Sequence, residues 1–519
     1  MDTKALRQKI LDLAIRGKLV PQDPKDEPAA VLLERIRAEK QRMVKDGKLK
    51  PKDIKNDTVI FKGDDNLHYE KFQDGTVKCI EDEIPFELPE GWSWTRLGSL
   101  FSTITGSTPS TKDASLYGDE YPFYKPTDLD AGFDVCVSED TVSEKGYKNG
   151  RILPMYSVLV TCIGATIGKT GYIKNSGICN QQINAILPNT FILPEYTYFC
   201  MCSEFEQQQI WTNSSATTLP ILNKSKFDIL FFPVPPKAQQ TRTVERIKEL
   251  LHFVEIIQQE KRTLQETIKL TKSKILDLAI RGKLVPQDPN DEPASVLLER
   301  IRSEKEELIK QGKIKRDKKE SVIFKGDDNS YYEKIGNDVT CIDDEISFDI
   351  PDTWSWTRIS TITDITMGSS PKSQDICNDN QYIEFHQGKI YFSKKTLMKS
   401  NQYTRKTTKL APKQSVLLCV RAPVGELNIT DRDICIGRGL ASIKSLGNIN
   451  EEFIFYWLHP YKTYLVNQST GSTFSAITSD TVRKILIPLP PLMEQKEILD
   501  KIQKAVSYTH LTLPTKLEV

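Results

Sequence analysis

Histidine is scarce in this chain: there are five in 519 residues, and none is spaced to share a metal or a proton with another. Imidazole catalysis and a His-ligated metal are therefore not expected. The ten cysteines include no C-x-x-C pair, and the closest two are Cys200 and Cys202. That spacing excludes a zinc pattern, and a reducing compartment disfavours a disulfide framework. The cysteines read as small buried apolar residues. No run of ~18 apolar residues exists, so no membrane span is expected. The opening MDTKALRQKILDLAIRGK carries a charge every few positions and lacks the apolar stretch of a secretory signal, which points to the cytoplasm. Net charge is +1, and this by itself argues neither for nor against nucleic acid as a partner.

Catalytic motifs are missing as well. GATIGKTG (164–171) approaches a phosphate-binding loop, but Gly164 and Gly168 stand one residue too close and no matching acidic strand follows. It reads as a turn between two strands, or as a Gly-rich turn lying against a DNA phosphate. The pairs VPPK and LPPL lack the amide or acid and the aromatic of a base-methylation motif. The acids of PQDPKDE and PQDPNDE begin an exposed helix and read as capping residues rather than a nuclease cluster.

What is present is duplication. KILDLAIRGKLVPQDP occupies 9–24 and returns letter for letter at 274–289. DEPAAVLLERIRAEK (26–40) returns as DEPASVLLERIRSEK (291–305), VIFKGDDN (59–66) recurs at 322–329, and WSWTR (92–96) recurs at 354–358. TGSTPS (105–110) is echoed by MGSSPK (367–372), after which identity collapses while the plan persists. YSVLVTCIGATIG (156–168) aligns loosely with QSVLLCVRAPVG (414–425), and CNQQINAI (179–186) with CIGRGLASI (435–443). Both copies close on a proline knot and a helix, FPVPPKAQQTRTVERI (232–247) and IPLPPLMEQKEILDKI (487–502). The divisions are a repeat linker at 1–91, a variable module at 92–236, a central linker at 237–353, a second module at 354–491 and the start of a further helix at 492–505. One task performed on two different targets would produce such a plan.

From Lys237 to Lys283 there is no proline, and no glycine before Gly282. Apolar residues at Ile247, Leu251, Val254, Ile257, Leu264, Ile268, Ile275 and Leu278 predict one long helix with an imperfect heptad seam. Arg281 and Gly282 mark its end. Some 45 residues at ~1.5 Å each span about 65–70 Å, a rod that no single globular domain needs. The N-terminal copy holds the last part of the same helix and the C-terminal copy its first part. The expectation is two antiparallel helices holding two modules apart, one continuous and one assembled from the chain ends. In the next helix Asp26 (or Asp291) is the expected N-cap, Pro28 (Pro293) lies in the first turn and Gly47 (Gly312) ends it. The modules carry short β-rich runs, and the fold class is α+β.

The chemistry on offer is binding chemistry. Residues 354–491 hold 17 Lys/Arg against 10 Asp/Glu, whereas 92–236 hold 10 against 13. The excess clusters at 388–413, where Lys389, Lys394, Lys395, Lys399, Arg405, Lys406 and Lys409 interleave with Tyr391, Phe392 and Tyr403. That composition suits phosphate contacts and groove reading, and equally a solvated face. Lys372 and Arg438 are further candidates of this module. In the first module the candidates are polar: Lys112, Lys125, Thr127 and Asp128. Gln181 and Gln182 suit adenine edges or ordinary strand hydrogen bonds. Trp92, Trp94, Trp354 and Trp356 read as core anchors where each module begins.

With these residues in view, the chain resembles the DNA-specificity subunit of a type I restriction–modification system. The twin KILDLAIRGKLVPQDP segments, the paired WSW openings, GATIGK, NQQINAI, IGRGLASI, GSTFSAI (471–477) and the FPVPP and IPLPP exits carry the resemblance over about residues 1–505. It implies two α/β target recognition domains in a pseudo-twofold arrangement, each reading half of a bipartite site on double-stranded DNA, separated by long antiparallel coiled-coil helices. It implies no catalytic activity or cofactor of its own. Two modification subunits would carry S-adenosylmethionine and methylate adenine, and restriction subunits would add ATP- and Mg-dependent translocation and cleavage. Because the modules diverge, the expected target is asymmetric. One departure stands out: AVSYTHLTLPTKLEV (505–519) loses the helical period. VSYTHLTLP resembles a translated sequencing-library adaptor, so 506–519 is read as non-native and set aside. Competing classes are an autonomous DNA-modifying or DNA-cutting enzyme and a coiled-coil scaffold whose modules bind proteins.

Overall fold

A computed structural model describes residues 2–215, 219–314, 316, 320–469 and 476–508. Positions 471–475 of GSTFSAI, and the segment from 509 onward, lie outside the described residues. The chain forms two compact units, 1–262 and 263–519, each gathering one linker and one module. The cut falls inside the long helix Lys237–Ile280, which runs for 44 residues without a break, as the lack of proline and glycine predicts.

In the first unit the helix Thr3–Ile15 is capped by Asp2, whose carboxylate accepts the N–H groups of Lys4 and Ala5. It runs antiparallel to the first part of the long helix: Arg7 pairs with Glu255 and Gln22 lies beside Gln239, both bonded to Trp92. Ile10, Leu11, Ala14 and Ile15 share a core with Val244, Ile247 and Val254. In the second unit Ala279, near the end of the long helix, packs with Ile498, Leu499 and Ile502 of the helix Leu492–Tyr508. The expected seam is only partly buried, since Ile257 and Leu264 are exposed.

The sixteen-residue repeat forms a corner. After Ile15 the chain turns at Gly17 with φ +65°, and Lys18 N–H bonds back to Leu13 O; Gly282 (φ +64°) and Lys283 repeat the turn. The turn needs glycine twice over. A Cβ on Gly17 would lie 2.4 Å from Pro89 Cγ, and one on Gly282 would lie 2.4 Å from Pro351 Cγ. Trp92 then donates its indole N–H to Gln22 and Gln239, and Trp354 donates to Glu494, which also accepts from Gln287. All four tryptophans at the module openings are buried; Trp92 and Trp354 anchor the corner, whereas Trp94 packs with Ile60, Ile80 and Phe231.

One expectation about the second helix fails. It spans Ala29–Lys45 with Pro28 at the cap position and no side-chain cap. Asp26 is drawn away by the guanidinium of Arg242. A three-stranded antiparallel sheet follows in each linker (Val59–Lys62, His68–Lys71, Val77–Cys79 and their copies). Cys79 and Cys341 lie exposed on those third strands, and Cys136 is exposed too, against the expectation of burial.

Each module begins and ends on one antiparallel pair, Ser93–Arg96 with Phe231–Val234, and Ser355–Arg358 with Leu486–Leu489. Arg96 forks onto Glu70 (3.0 and 2.7 Å), and Arg358 forks onto Glu333 (3.0 and 2.6 Å). The repeated WSWTR thus ties each module to its linker sheet. Inside the first module an antiparallel sheet runs Thr103–Thr105, Ile183–Ile186, Val158–Thr161, Thr170–Tyr172. The second module repeats that order as Thr363–Met367, Leu440–Ser445, Ser415–Cys419, Leu427–Thr430. The modules differ in the outer layer: three strands around Tyr117–Tyr124 in the first, five around Ile383–His386 in the second.

Candidate nucleic-acid interface

In both modules the TGS/MGS loop meets the loop that enters the sheet at Ile183 or Leu440, and the main-chain bonds correspond one for one. Gly106 N–H bonds to Ile183 O, and Gly368 N–H to Leu440 O. Ser107 N–H bonds to Cys179 O, and Ser369 N–H to Ile436 O. Asn180 N–H bonds to Tyr124 O, and Gly437 N–H to His386 O. Cys162 N–H bonds to Gln182 O, and Val420 N–H to Gly439 O. Parallel pairing of Cys179 with Tyr124 and of Ile436 with His386 agrees. The register is one residue from the loose sequence alignment, since Cys179 matches Ile436 rather than Cys435. Gln181 therefore matches Arg438. The loops touch so closely that a Cβ on Gly106 would lie 2.0 Å from Asn180 O, and one on Gly368 would lie 2.2 Å from Gly437 O.

GATIGK is the turn after this sheet strand. Gly168 (φ +86°) bonds back to Thr161 O, as Gly425 (φ +84°) bonds to Cys419 O. Lys169 is paired with Asp130 at 2.7 Å.

Charge separates the modules. In the first, Lys125 pairs with Asp140, Lys145 with Asp113, Lys148 with Glu144, Lys174 with Asp134 and Lys224 with Asp228. Arg151 and Lys226 donate to carbonyls. Among the described residues, Lys112 is the one Lys or Arg of that module with no such partner. In the second module Lys372, Lys394, Lys399, Arg405, Lys406, Lys409, Arg421 and Arg438 are exposed and have no carboxylate partner among the described residues. Lys372, Lys409 and Arg438 sit on or beside loops that touch: Thr408 donates to Ser369 O, and Ile436 N–H bonds to Lys409 O. Lys389 begins a turn beside Gln387 and Gly388, which pack on Gly439.

Other predicted site residues have structural partners. Asp128 accepts the N–H groups of Lys125 (2.7 Å) and Glu139 (2.9 Å) and so shapes the loop on which Thr127 is exposed. Gln182 is held by Asn180 at 3.0 Å, while the exposed Gln181 accepts the Thr108 hydroxyl. Lys395 pairs with Glu452, and Tyr391 and Phe392 pack against a small core around Leu397 and Leu417. Arg421 is a further exposed cation that the sequence did not single out; its only signal is its place in CVRAPVG, the counterpart of the discounted glycine turn.

Beneath the second loop lies a buried network. Glu384 accepts a fork from Arg432 (2.6 and 2.7 Å), the Ser400 N–H and a bond from His386 Nε2 at 2.9 Å. Burial raises its carboxyl, but these donors hold it down to about 2. Burial lowers the His386 imidazole, with Glu384 pulling the other way. The first module has Tyr124 at the matching position, its hydroxyl donating to Asn175 O. Among the described residues no group of three metal-ligating side chains occurs, and no helix is long and apolar enough to cross a membrane.

Two copies of one scaffold, each offering a different exposed polar side chain from the same hydrogen-bonded loop, define a two-module protein built on a repeated plan. The chain belongs to the family of the type I restriction modification DNA specificity domain, whose sequence model matches residues 89–266 and 351–519. It is therefore a protein of DNA sequence specificity. It is 25% identical to the type I restriction enzyme EcoAI specificity subunit of Escherichia coli, over 97% of this chain and 89% of that one. It is 29% identical to the EcoEI specificity subunit of the same species, over 84% and 72%. A solved structure from work on complex assembly and conformational transition of the type I R-M system shares the fold, with TM-score 0.59 and 21% identity over 82% of this chain and 92% of that one.

Proposed function

We propose that this chain reads a bipartite, asymmetric site on double-stranded DNA, one half per module, and positions two modification subunits and the restriction subunits that act there. Catalysis belongs to those partners: adenine methylation with S-adenosylmethionine, and translocation and cleavage with ATP and Mg. The chain itself contributes recognition only, through candidates on or near the touching loops (Lys112, Gln181, Lys372, Lys389, Arg438) and the stretch Lys394–Lys406. The observation that carries this reading is the bond-for-bond match of the two loop junctions combined with different exposed residues upon them. A single reader repeated for a palindrome would keep those residues alike.

The test is methylome sequencing of cells that express this chain with its modification subunit. One motif of two unlike halves with a fixed gap, methylated on adenine, is expected. A palindromic or ungapped motif, or methylation by the purified chain alone, would contradict it.

A further inference from the structure

We infer that Gln181 and Arg438 are the paired specificity-determining residues of the two modules, each reading a base pair in its own half-site. The inference rests on the bipartite reading above and adds which side chains discriminate.

Three observations carry it. The first is equivalence: four main-chain hydrogen bonds and one parallel β-pair put Gln181 and Arg438 at the same point of the same scaffold. The second is the contrast with their neighbours. Asn180 is buried and bonded to Gln182, and Gly437 and Gly439 are packed so that a Cβ would lie 3.1 Å from Ser370 Oγ and 2.2 Å from Gln387 O. Gln181 and Arg438 are the exposed residues between them. The backbone that carries them is already held by these main-chain bonds, so docking need order only the side chain and not the loop beneath it. The third is chemistry. Arg438 is exposed with no carboxylate partner among the described residues, and its fork matches O6 and N7 of guanine. Gln181 offers an amide of the kind that pairs with N6 and N7 of adenine, and the Thr108 hydroxyl already orients its carbonyl. Around them the two modules differ as readers should. The exposed cations Lys372 and Lys409 flank Arg438 on touching loops, where they can hold phosphates without reading sequence.

The experiment uses the whole complex with its modification subunits. Binding is selected from duplex libraries randomised over both halves, and the methylome is read in parallel. Arg438→Ala is expected to make one position of one half-site degenerate, with a loss of discrimination of roughly 5- to 150-fold, and to leave the other half unchanged. Gln181→Ala does the same in the opposite half. Arg438→Gln shifts the preference at its position from guanine to adenine. Lys406→Ala serves as control, lowering affinity for all sequences alike. If Arg438→Ala does not assemble, Arg438→Lys decides, because it keeps the charge and loses the fork. Discrimination unchanged within twofold at every position, in complexes that still bind, would overturn the assignment. A parent complex that selects no two-part motif would overturn the reading beneath it, and that result is distinguishable because it appears before any substitution is made.

Discussion

Glu494 stands where the first unit has Gln239, three residues beyond a Pro-Pro pair in both. Each accepts the indole N–H of the tryptophan that opens its module, but only Glu494 brings a charge. Burial raises its carboxyl above the usual range; the Trp354 and Gln287 bonds oppose this, and Asp291 and Glu497 add to it. A raised folded-state value means the corner is strongest while Glu494 is protonated and weakens as pH rises through that value. Glu494→Gln is therefore expected to raise the thermal midpoint at pH 8, with the gain shrinking toward pH 4. Melts across that range check it, and a mutant less stable than the parent at pH 8 refutes it. Gly17 and Gly282 make the complementary case, in which a backbone leaves no choice of residue. Gly282→Ala forces a Cβ into Pro351 at a positive φ, and denaturant unfolding should show a cost of about 2 kcal/mol or more.

Among the elements, the pair that opens and closes each module depends on its arginine. Arg358 is nearly buried, forks onto Glu333, and also reaches Glu345 and the Lys484 carbonyl. Arg358→Met would strand Glu333 against its own sheet, and unfolding should report about 3 kcal/mol of lost stability. A loss below ~1 kcal/mol would show the ion pair to be dispensable. The long helix and the glycine corners were legible because their signals are local: an unbroken run without Pro or Gly, and a cation followed by glycine. The outer sheets were not, because two-residue strands such as Ile178–Cys179 exist only through distant partners, here Phe123 and Tyr124. Asp26 failed as a cap because Arg242, 216 residues away, competes for it. The same limit governs the site. Composition located the lysines of 388–413, yet only tertiary structure separates Lys406, without a carboxylate partner among the described residues, from the paired Lys395, or the exposed Gln181 from the half-buried Gln182.

For the molecule as a whole, a net charge of +1 conceals unequal halves. Seven of the ten Lys and Arg of 92–236 are paired with carboxylates, while the other module leaves a field of cations exposed. Salt sensitivity of DNA binding should therefore come mainly from the second module. In the assembled complex, replacing Lys372, Lys406 and Lys409 by Ala should flatten the plot of log affinity against log salt by up to about 0.9 per lysine that contacts a phosphate. Lys112→Ala should change the slope by no more than one such step. Equal slopes for parent and triple variant would place the phosphate contacts elsewhere. The identical sixteen-residue segments at the corners carry a consequence of another kind, for the gene. An in-frame crossover between the segments encoding 9–24 and 274–289 would excise 265 codons. The product would still bring Gly17, Gln22, Trp354 and Glu494 into one intact corner, because Gln22 would stand where Gln287 stood. Heredity could thus delete or duplicate a whole reading head without leaving a mismatched joint.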